Sequence, residues 1–574
     1  MLDMSPPDKV RLPPGSSAGA GARRDPWMWL IIPAALFLAS VAVTQPPYMG
    51  DSMDYIDDIH AAWSGSAAHE TLWEFGHILW RPLGYWFSSL FVAFIPNGIA
   101  WTPQLKIFSG LMLFSLIAGL AGTLLIYTLS RRLSGSRLAA VVASMLFVWG
   151  DAVLAYSQTA TPYIPALALL LAGLCWQLTS FQHGRSGLVG PACLFGVAAL
   201  FWFPFAMAIP AASCAGRFIR LPGGEQRGMS WRQCILSCAI AVAVLFAGIM
   251  VSAWLAGIRS VPEAVSWVAS SGHGTQQNRR WLRAISGFSR LLIDLDQEGV
   301  YLKRLVFRDP FYPETVIGAF RSGLWKVGAF YSFIAGVVYL AWRSAERKSC
   351  IPLAIGFAAG VFAAVVVFEP SSPERLLPVL PFLVMALSAG WRSSWRWAAP
   401  LRAGIGVFVI LLAMLNFPNF EWRRSAGHRQ AQAQADDFRK HAQAHDLMLV
   451  TTMSEPVVRL LQTPFDPVNR LGAIRYSLIL NPIDNKDAAA WRRIVAHTIL
   501  RDWGLGNNVW VMSSVLFDRP NKGSLWTEGD NPAVHWRDVP AFFRTLEFDA
   551  ETSAGNGFAR LRRSPANRER LARE

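Results

Sequence analysis

Long apolar runs without a charge dominate the first 420 residues and constrain the fold more than any other feature. The first run, WMWLIIPAALFLASVAVT at 27–44, has about the length that an α-helix needs to cross a bilayer. Only 16% of the 574 residues are charged and the mean hydropathy is +0.30, whereas soluble chains carry about 25% charged residues. The sequence therefore predicts a polytopic α-helical membrane protein of about eleven spans, at 27–44, 105–130, 138–155, 162–181, 187–203, 204–219, 233–256, 322–342, 350–368, 376–391 and 403–419.

Lysine and arginine are distributed unevenly over the short connections between these runs. Alternate connections are rich in arginine, and such connections stay in the cytoplasm during membrane insertion. This asymmetry predicts a multi-pass protein of the cell inner (plasma) membrane, with a cytoplasmic disordered tail at 1–26 and a transmembrane domain at 27–420. The external loops 45–104 and 257–321 and the part 421–574 then lie on the outer side. Because most of the excess behind the net charge of +15 sits in the short connections, nucleic acid is not a predicted partner.

The polar part 421–574 has the pattern of a small soluble α/β domain, which would be periplasmic or extracellular. Apolar runs at 446–452 and 508–517 predict two strands, and the segment 488–500 between them predicts a helix. The end of this part is rich in arginine, proline, glycine and serine, a composition that predicts disorder.

The outer loop directly after the first span is acidic. If GDSMDYIDDIHAAWSG at 50–65 is helical, then Asp51, Asp54 and Asp58 share one face at the spacing i, i+3 and i+7. Carboxylates this close raise one another's pKa values unless a cation or a substrate hydroxyl engages them. The same residues also fit a solvated acidic face that has no chemical role.

Three outer segments carry recognisable motifs. They are the acidic loop continuing into HILWRPLGYWF at 77–87, LAYSQTATPYIPALALLL at 154–171, and EPSSPERLLPVLPFL at 369–383. In order and in predicted side of the membrane, they resemble the GT-C glycosyltransferases of the protein mannosyltransferase, aminoarabinose transferase and lipid A galacturonosyltransferase type. His77 lies four residues earlier than in that family's pattern. The acid and arginine of the second motif are replaced, with Asp151 as the nearest substitute for the acid. Nothing similar covers 421–574.

The resemblance implies a GT-C-like transferase that moves a sugar from a polyprenyl-phosphate donor to a glycan, lipid or protein acceptor on the outer side. In that family an aspartate of the first loop is the general base, which matches Asp51, with Asp54 one helical turn later as the competitor. The donor phosphate needs cations, and arginine can bind it with two hydrogen bonds. The candidates for that role are Arg375, Arg81, Arg279 and Arg280, and the other candidate site residues are His77, Asp151, Tyr163 and Glu374. For Arg279 and Arg280, a helix facing solvent or lipid headgroups is the alternative interpretation.

Two other classes of function remain open at this point. A transporter or flippase of a lipid-linked envelope substrate would show an internal repeat and charges at mid-membrane depth, which the sequence lacks. A non-catalytic envelope assembly protein would not need an acidic loop and an arginine at the mouth of a span. No metal site is predicted, since Cys234 and Cys238 have no third ligand beside them. A divalent cation at the donor phosphate stays open, and membrane lipids are the remaining partners.

Overall fold

The described residues up to 441 are mainly helical, and those that follow form an α/β unit. The structure is a computed structural model, and it describes residues 27–44, 51–95, 101–182, 187–219, 228–270, 282–295, 302, 304–305, 312–362, 372–420, 426–443, 445–450, 475–478, 487–516, 537–549 and 557–574.

The transmembrane part contains sixteen described helices. They are α1 Ile31–Val43, α2 Asp51–Trp63, α3 Trp80–Ala93, α4 Pro103–Ser134, α5 Arg137–Trp149, α6 Asp151–Tyr156, α7 Tyr163–Gln182, α8 Val189–Phe201, α9 Ile209–Phe218, α10 Trp231–Leu255, α11 Val261–Ser270, α12 Leu282–Ser289, α13 Val316–Trp342, α14 Cys350–Phe362, α15 Leu380–Gly390 and α16 Ala398–Phe420. Helix α13 includes one π-helical turn near its start.

Among the described residues, five helices are long and apolar enough to cross a membrane, and these are α4, α7, α10, α13 and α16. The sequence predicts about eleven spans. At the remaining predicted spans, the described helices are shorter than a full membrane crossing. Four of the predicted spans are apolar helices of only 10–17 residues, namely those at 27–44, 138–155, 187–203 and 376–391. The predicted spans 204–219 and 350–368 coincide with α9 and α14, and the second of them continues beyond the described residues.

Glycine, proline and extended residues break the shorter helices near one end. Gly150 has an extended conformation, with ψ of 133°, and separates α5 from α6. Trp202 is also extended and ends α8, and Pro204 begins a 3-10 turn that leads into α9. These breaks matter because they place Asp151 and Trp202 at helix ends instead of inside a continuous span.

The surface of the long helices is apolar. On α10, Ile235, Phe246, Met250 and Trp254 each expose more than half of their surface. Such a broad apolar face is unfavourable in water and suits the hydrocarbon of a bilayer, where helices satisfy their own backbone hydrogen bonds.

Aromatic and arginine side chains meet at one set of helix ends. Arg137 lies over the ring of Trp29, at 4.1 Å from its centroid, and joins the starts of α1 and α5. Arg217 lies 4.5 Å from the ring centroid of Trp231 and joins the end of α9 to the start of α10. These are the ends that the arginine asymmetry assigns to the cytoplasm. The opposite ends carry the acidic helix α2 and the contacts of the candidate site.

The C-terminal part forms a four-stranded sheet flanked by helices. Its elements are α17 Ala426–His441, β1 Leu447–Val450, β2 Arg475–Leu478, α18 Ala488–Gly504, β3 Val509–Met512, α19 Asp538–Phe543, β4 Phe558–Arg560 and α20 Pro565–Arg573. The strand order is β2-β1-β3-β4, and only the β3–β4 pair is antiparallel. The two predicted strands and the predicted helix are confirmed as β1, β3 and α18, whereas β2 and β4 were not predicted.

Alternation of side chains gives this sheet two buried faces. Leu447 and Leu449 pack with α18, while Met448 and Val450 pack against the other face with Phe438 of α17. The end of the chain, which the composition predicts to be disordered, forms α20 instead. Helix α20 is anchored because Asn567 and Leu571 are buried, and the Asn567 side-chain amide hydrogen-bonds three backbone groups.

Candidate active site

The acidic segment after the first span forms a helix, as the spacing predicts. Helix α2 begins at Asp51 and buries Tyr55, Ile56 and Ile59 against the helical core, while Asp54 is exposed. As the first residue of α2, Asp51 lies where the positive end of the helix dipole favours a negative charge. The packed face of α2 therefore fixes the helix and leaves Asp54 and Asp57 on its exposed side.

Arg81 connects this acidic helix to the segment that follows it. Its Nη1 lies 3.1 Å from Oδ2 of Asp58, and its Nη2 lies 2.7 Å from Oε2 of Glu74. The guanidinium group also lies 5.5 Å from the ring centroid of Tyr55. The Arg81 side chain is only 11% exposed, so solvent screens these contacts less than it screens surface ion pairs. Arg81 is one of the arginines that we predict to bind the donor phosphate, and here its positive charge is balanced by the carboxylates of Asp58 and Glu74.

Partial burial and crowding change the titration of the carboxyl groups on α2. Desolvation, followed by the negative charges of Asp54 and Asp58, raises the pKa of Asp57 to about 6. Desolvation also raises the pKa of Asp58, although the guanidinium group of Arg81 opposes the shift. A carboxyl group that titrates near pH 6 is well suited to accept a proton at neutral pH. Asp57 is thus a further candidate base, which the spacing argument missed because it considered only one helical face.

A buried series of contacts leads from α2 to the first helix break. The Tyr55 hydroxyl lies 2.9 Å from Nε2 of His77, and both side chains are fully buried. The His77 ring stacks on the indole of Trp202, with ring centroids 4.5 Å apart and planes 2° from parallel. Trp202 therefore joins the first outer loop to the end of α8.

The same tryptophan contacts the third motif. Nε1 of Trp202 donates to the backbone oxygen of Glu374 at 3.2 Å, and the Tyr156 hydroxyl donates to Oε2 of Glu374 at 2.7 Å. The Tyr163 ring packs edge-on against Tyr156 and tilted against Trp202. Arg375 is buried, with its Nε 3.8 Å from Oε1 of Glu374. All three motifs thus meet around Trp202 and the partly buried Glu374.

Asp151 lies at the edge of this cluster. It is the first residue of α6, and its backbone N–H donates to the oxygen of Leu292 at 3.0 Å. Its carboxylate is close enough to Tyr156 for their charges to interact. The structure therefore places Asp151 near the second motif, where we predict it to substitute for the missing acid.

Half of the ten predicted site residues come together. Contacts link five of them, namely Arg81, His77, Tyr163, Glu374 and Arg375. Arg279 and Arg280 lie outside the described residues, and the side chain of Asp51 is not described. Trp202, which joins the motifs, was missed, although its position at the break of an apolar run is visible in the sequence. The chemical roles of all these residues stay predictions.

Side chains that could bind a metal ion were sought around the site and elsewhere in the described residues. Within the described ranges, no group of three or more His, Cys, Asp or Glu side chains is arranged to hold a metal ion. The arrangement instead combines an acidic helix with a buried arginine. These are the groups that a proton transfer and an anion-binding step require.

No protein-family model and no curated protein matches the chain. The structure is similar to ArnT from Cupriavidus metallidurans bound to undecaprenyl phosphate, with 13% identity and a TM-score of 0.47, over 94% of this chain and 98% of that one. It is also similar to the oligosaccharyltransferase of Archaeoglobus fulgidus, with 13% identity and a TM-score of 0.47, over 91% of this chain and 71% of that one.

A third similar structure is the arabinofuranosyltransferase AftD from Mycobacteria, with 16% identity and a TM-score of 0.42, over 85% of this chain and 35% of that one. Identity and TM-score are low in all three comparisons, so the functional argument rests on the residues of this chain. The three neighbours are GT-C glycosyltransferases, the superfamily that the three outer motifs resemble.

Proposed function

We propose that the protein is a multi-pass membrane glycosyltransferase of the GT-C type, which moves a sugar from a polyprenyl-phosphate donor to an acceptor on the outer side. The observation that supports this most is the meeting of three motifs that lie far apart in the sequence. Tyr55 and His77 come from the first motif, Tyr156 from the second and Glu374 from the third, and all are joined through Trp202.

The proposed chemistry divides between α2 and the turn at Arg375. An acceptor hydroxyl loses its proton as it attacks the anomeric carbon, so a carboxylate of α2 acts as general base, with Asp51 preferred and Asp54 as the competitor. The bond from the anomeric carbon to the donor phosphate breaks, and the lipid phosphate leaves with its negative charge. A buried arginine stabilises that charge more strongly than an exposed one does, which favours Arg375.

The proposed reaction sits at the outer ends of the spans. The sugar acceptor is a glycan, a lipid or a protein, and the enzyme resides in the inner (plasma) membrane with residues 421–574 in the periplasm or outside the cell. This placement agrees with the helix ends that meet at the site, because the arginine-rich connections lie at the opposite ends.

Changing Arg375 to alanine should weaken donor binding. A charge-assisted hydrogen bond is worth about 1.5–3 kcal/mol, so the Kd for farnesyl phosphate, a short polyprenyl phosphate, should rise by roughly 10- to 150-fold. Arg375→Lys should recover only part of the affinity, because an ammonium group lacks the planar fork of a guanidinium. Isothermal titration calorimetry of the purified protein in detergent measures both variants.

Arg259 provides the matched control for this binding experiment. It lies on the same predicted side, but its guanidinium group is exposed and donates to the backbone oxygen of Trp254. Arg259→Ala should therefore bind farnesyl phosphate as the wild type does. Wild-type affinity in Arg375→Ala would remove Arg375 from the site and leave Arg279 and Arg280 as the candidates.

Alkaline phosphatase fused after residue 574 should be active in cells. Alkaline phosphatase folds only in the oxidising compartment outside the membrane. The arginine asymmetry predicts that the C-terminal end lies there. A fluorescent protein fused at the same point and exported through the general secretion route should remain dark. An inactive phosphatase together with a bright fluorescent fusion would contradict the topology and the outer position of the site.

A further inference from the structure

Asn416, near the end of α16, is a fully buried polar residue with a complete set of hydrogen bonds. Its Oδ1 accepts from the backbone N–H of Asp294 at 2.9 Å, and its Nδ2 donates to the backbone oxygens of Trp149 and Leu292, each at 2.7 Å. A buried amide that satisfies three backbone groups is costly to remove, because each group would lose its partner away from water. Asn416 therefore joins three separate segments of the chain at one point.

The segment that Asn416 holds lies directly against α6. The backbone N–H groups of Asp151 and Ala152 donate to the oxygens of Leu292 and Leu291, at 3.0 and 3.3 Å. A Cβ atom at Gly150 would lie 3.0 Å from Cδ2 of Leu292 and 3.3 Å from the backbone oxygen of Leu291. The two backbones approach so closely that only glycine fits there without displacement.

The same segment also reaches the turn of the third motif. The Phe288 ring stacks on Phe357 of α14, with centroids 4.2 Å apart. A Cβ atom at Gly360, one turn further along α14, would lie 3.5 Å from Phe288 and 3.6 Å from Leu376. Phe288 and Leu376 thus border the same small space, so the end of α12 lies beside the residues that follow Arg375.

Arg290 lies in the middle of this held segment. Its charge interacts with the Tyr156 hydroxyl, on which the charges of Glu374 and Asp151 also act. The segment is thus bounded by α6 on one side and by the third motif on the other.

We propose that Asn416 is a positioning residue of the outer site, which holds the segment 288–294, and with it Arg290, against α6, the helix whose Tyr156 donates to Glu374. This inference rests on the proposed function, since Arg290 would act on the negatively charged headgroup of the donor. Neither Asn416 nor Arg290 belongs to the three motifs.

A double-mutant comparison tests the proposal. Asn416→Ala should lower sugar transfer by about 10- to 100-fold, because an arginine displaced by about 1 Å no longer meets the donor correctly. Arg290→Ala should lower transfer to a similar extent, and adding Asn416→Ala to Arg290→Ala should cause no further loss, since Asn416 acts through Arg290. Met414→Ala is the control on the same helix, because the Met414 side chain is 68% exposed, and it should transfer sugar as the wild type does.

A second readout does not depend on activity. Hydrogen exchange of the Asp294 amide, measured by mass spectrometry on a peptide covering 290–295, should be faster in Asn416→Ala than in the wild type and in Met414→Ala. Unchanged exchange, unchanged transfer, or losses that add up in the double variant would each overturn the positioning role. A wild-type protein that transfers no sugar would instead overturn the proposed function, and the exchange result would still decide whether Asn416 holds the segment.

Discussion

Replacing Asp51 with asparagine should lower sugar transfer by about 10²- to 10⁴-fold, the range expected for the loss of a general base. Asparagine has nearly the same size as aspartate but cannot accept the acceptor's proton. The substitution keeps the first residue of α2 polar, so the buried contacts of Tyr55 and Ile59 and the fold should persist. Turnover with a labelled polyprenyl-phosphate sugar, measured beside the binding of farnesyl phosphate, separates lost chemistry from lost binding.

The neighbouring aspartates are the matched controls for this experiment. Asp54→Asn should reduce transfer less than Asp51→Asn does. Asp57→Asn reports on the group whose pKa is about 6, and wild-type transfer in that variant would exclude it as the base. If Asp54→Asn or Asp57→Asn is inactive while Asp51→Asn is active, the base lies elsewhere on α2 and the enzyme assignment stands. Normal transfer in all three variants would exclude α2 as the source of the base.

Replacing Arg81 with alanine should destabilise the protein by about 3 kcal/mol, near the lower end of the range for breaking a buried ion pair. The lower end applies because the Asp58 side chain is 38% exposed, whereas that of Glu74 is 20% exposed. Without Arg81, both carboxylates lose their opposing charge and the acidic helix loses a contact with the following segment. The unfolding midpoint of the purified protein, compared in one detergent, measures the loss.

A charge-matched double variant shows whether the loss is electrostatic. Arg81→Met combined with Glu74→Gln removes the charge of Arg81 and of its closer partner, so it should recover much of the stability that Arg81→Ala loses. Arg81→Lys should fall between the wild type and Arg81→Ala, since one ammonium group cannot span two carboxylates as a guanidinium does. Unfolding of Arg81→Ala at the wild-type midpoint would show that the ion pairs carry no net stability.

The sequence predicted the parts of the fold and site that depend on local pattern. Side-chain spacing predicted the acidic helix α2, and short apolar runs predicted the strands β1 and β3. The residue list for the site came from the resemblance of the three outer motifs to GT-C glycosyltransferases, together with their shared predicted side of the membrane. His77, Glu374 and Arg375 belong to one connected cluster.

The parts that were missed depend on contacts between distant segments. Trp202 lies in an apolar run that Pro204 interrupts, which shows a break in the sequence, but its contacts with His77 and Glu374 follow only from the extended backbone that ends α8. The buried charge of Arg81 is compensated by Glu74, and nothing in the sequence apart from its charge marks Glu74 as that partner. The helix α20 reads as a disordered tail because its buried residues, Asn567 and Leu571, are few among arginines. The count of about eleven spans stays a prediction, because among the described residues only five helices have full crossing length and hydropathy does not register breaks such as Gly150.

The most direct test of the central claim is sugar transfer by the purified protein in liposomes. A polyprenyl phosphate carrying a radiolabelled sugar is supplied as donor, with cell-envelope glycan, lipid and protein extracts as acceptors, and the products are separated by chromatography. The label should leave the polyprenyl phosphate and appear on an acceptor, and Asp51→Asn should prevent this while farnesyl phosphate still binds. Labelled donor that crosses the liposome membrane with its sugar still attached, and with no labelled acceptor formed, would contradict a glycosyltransferase and identify a transporter.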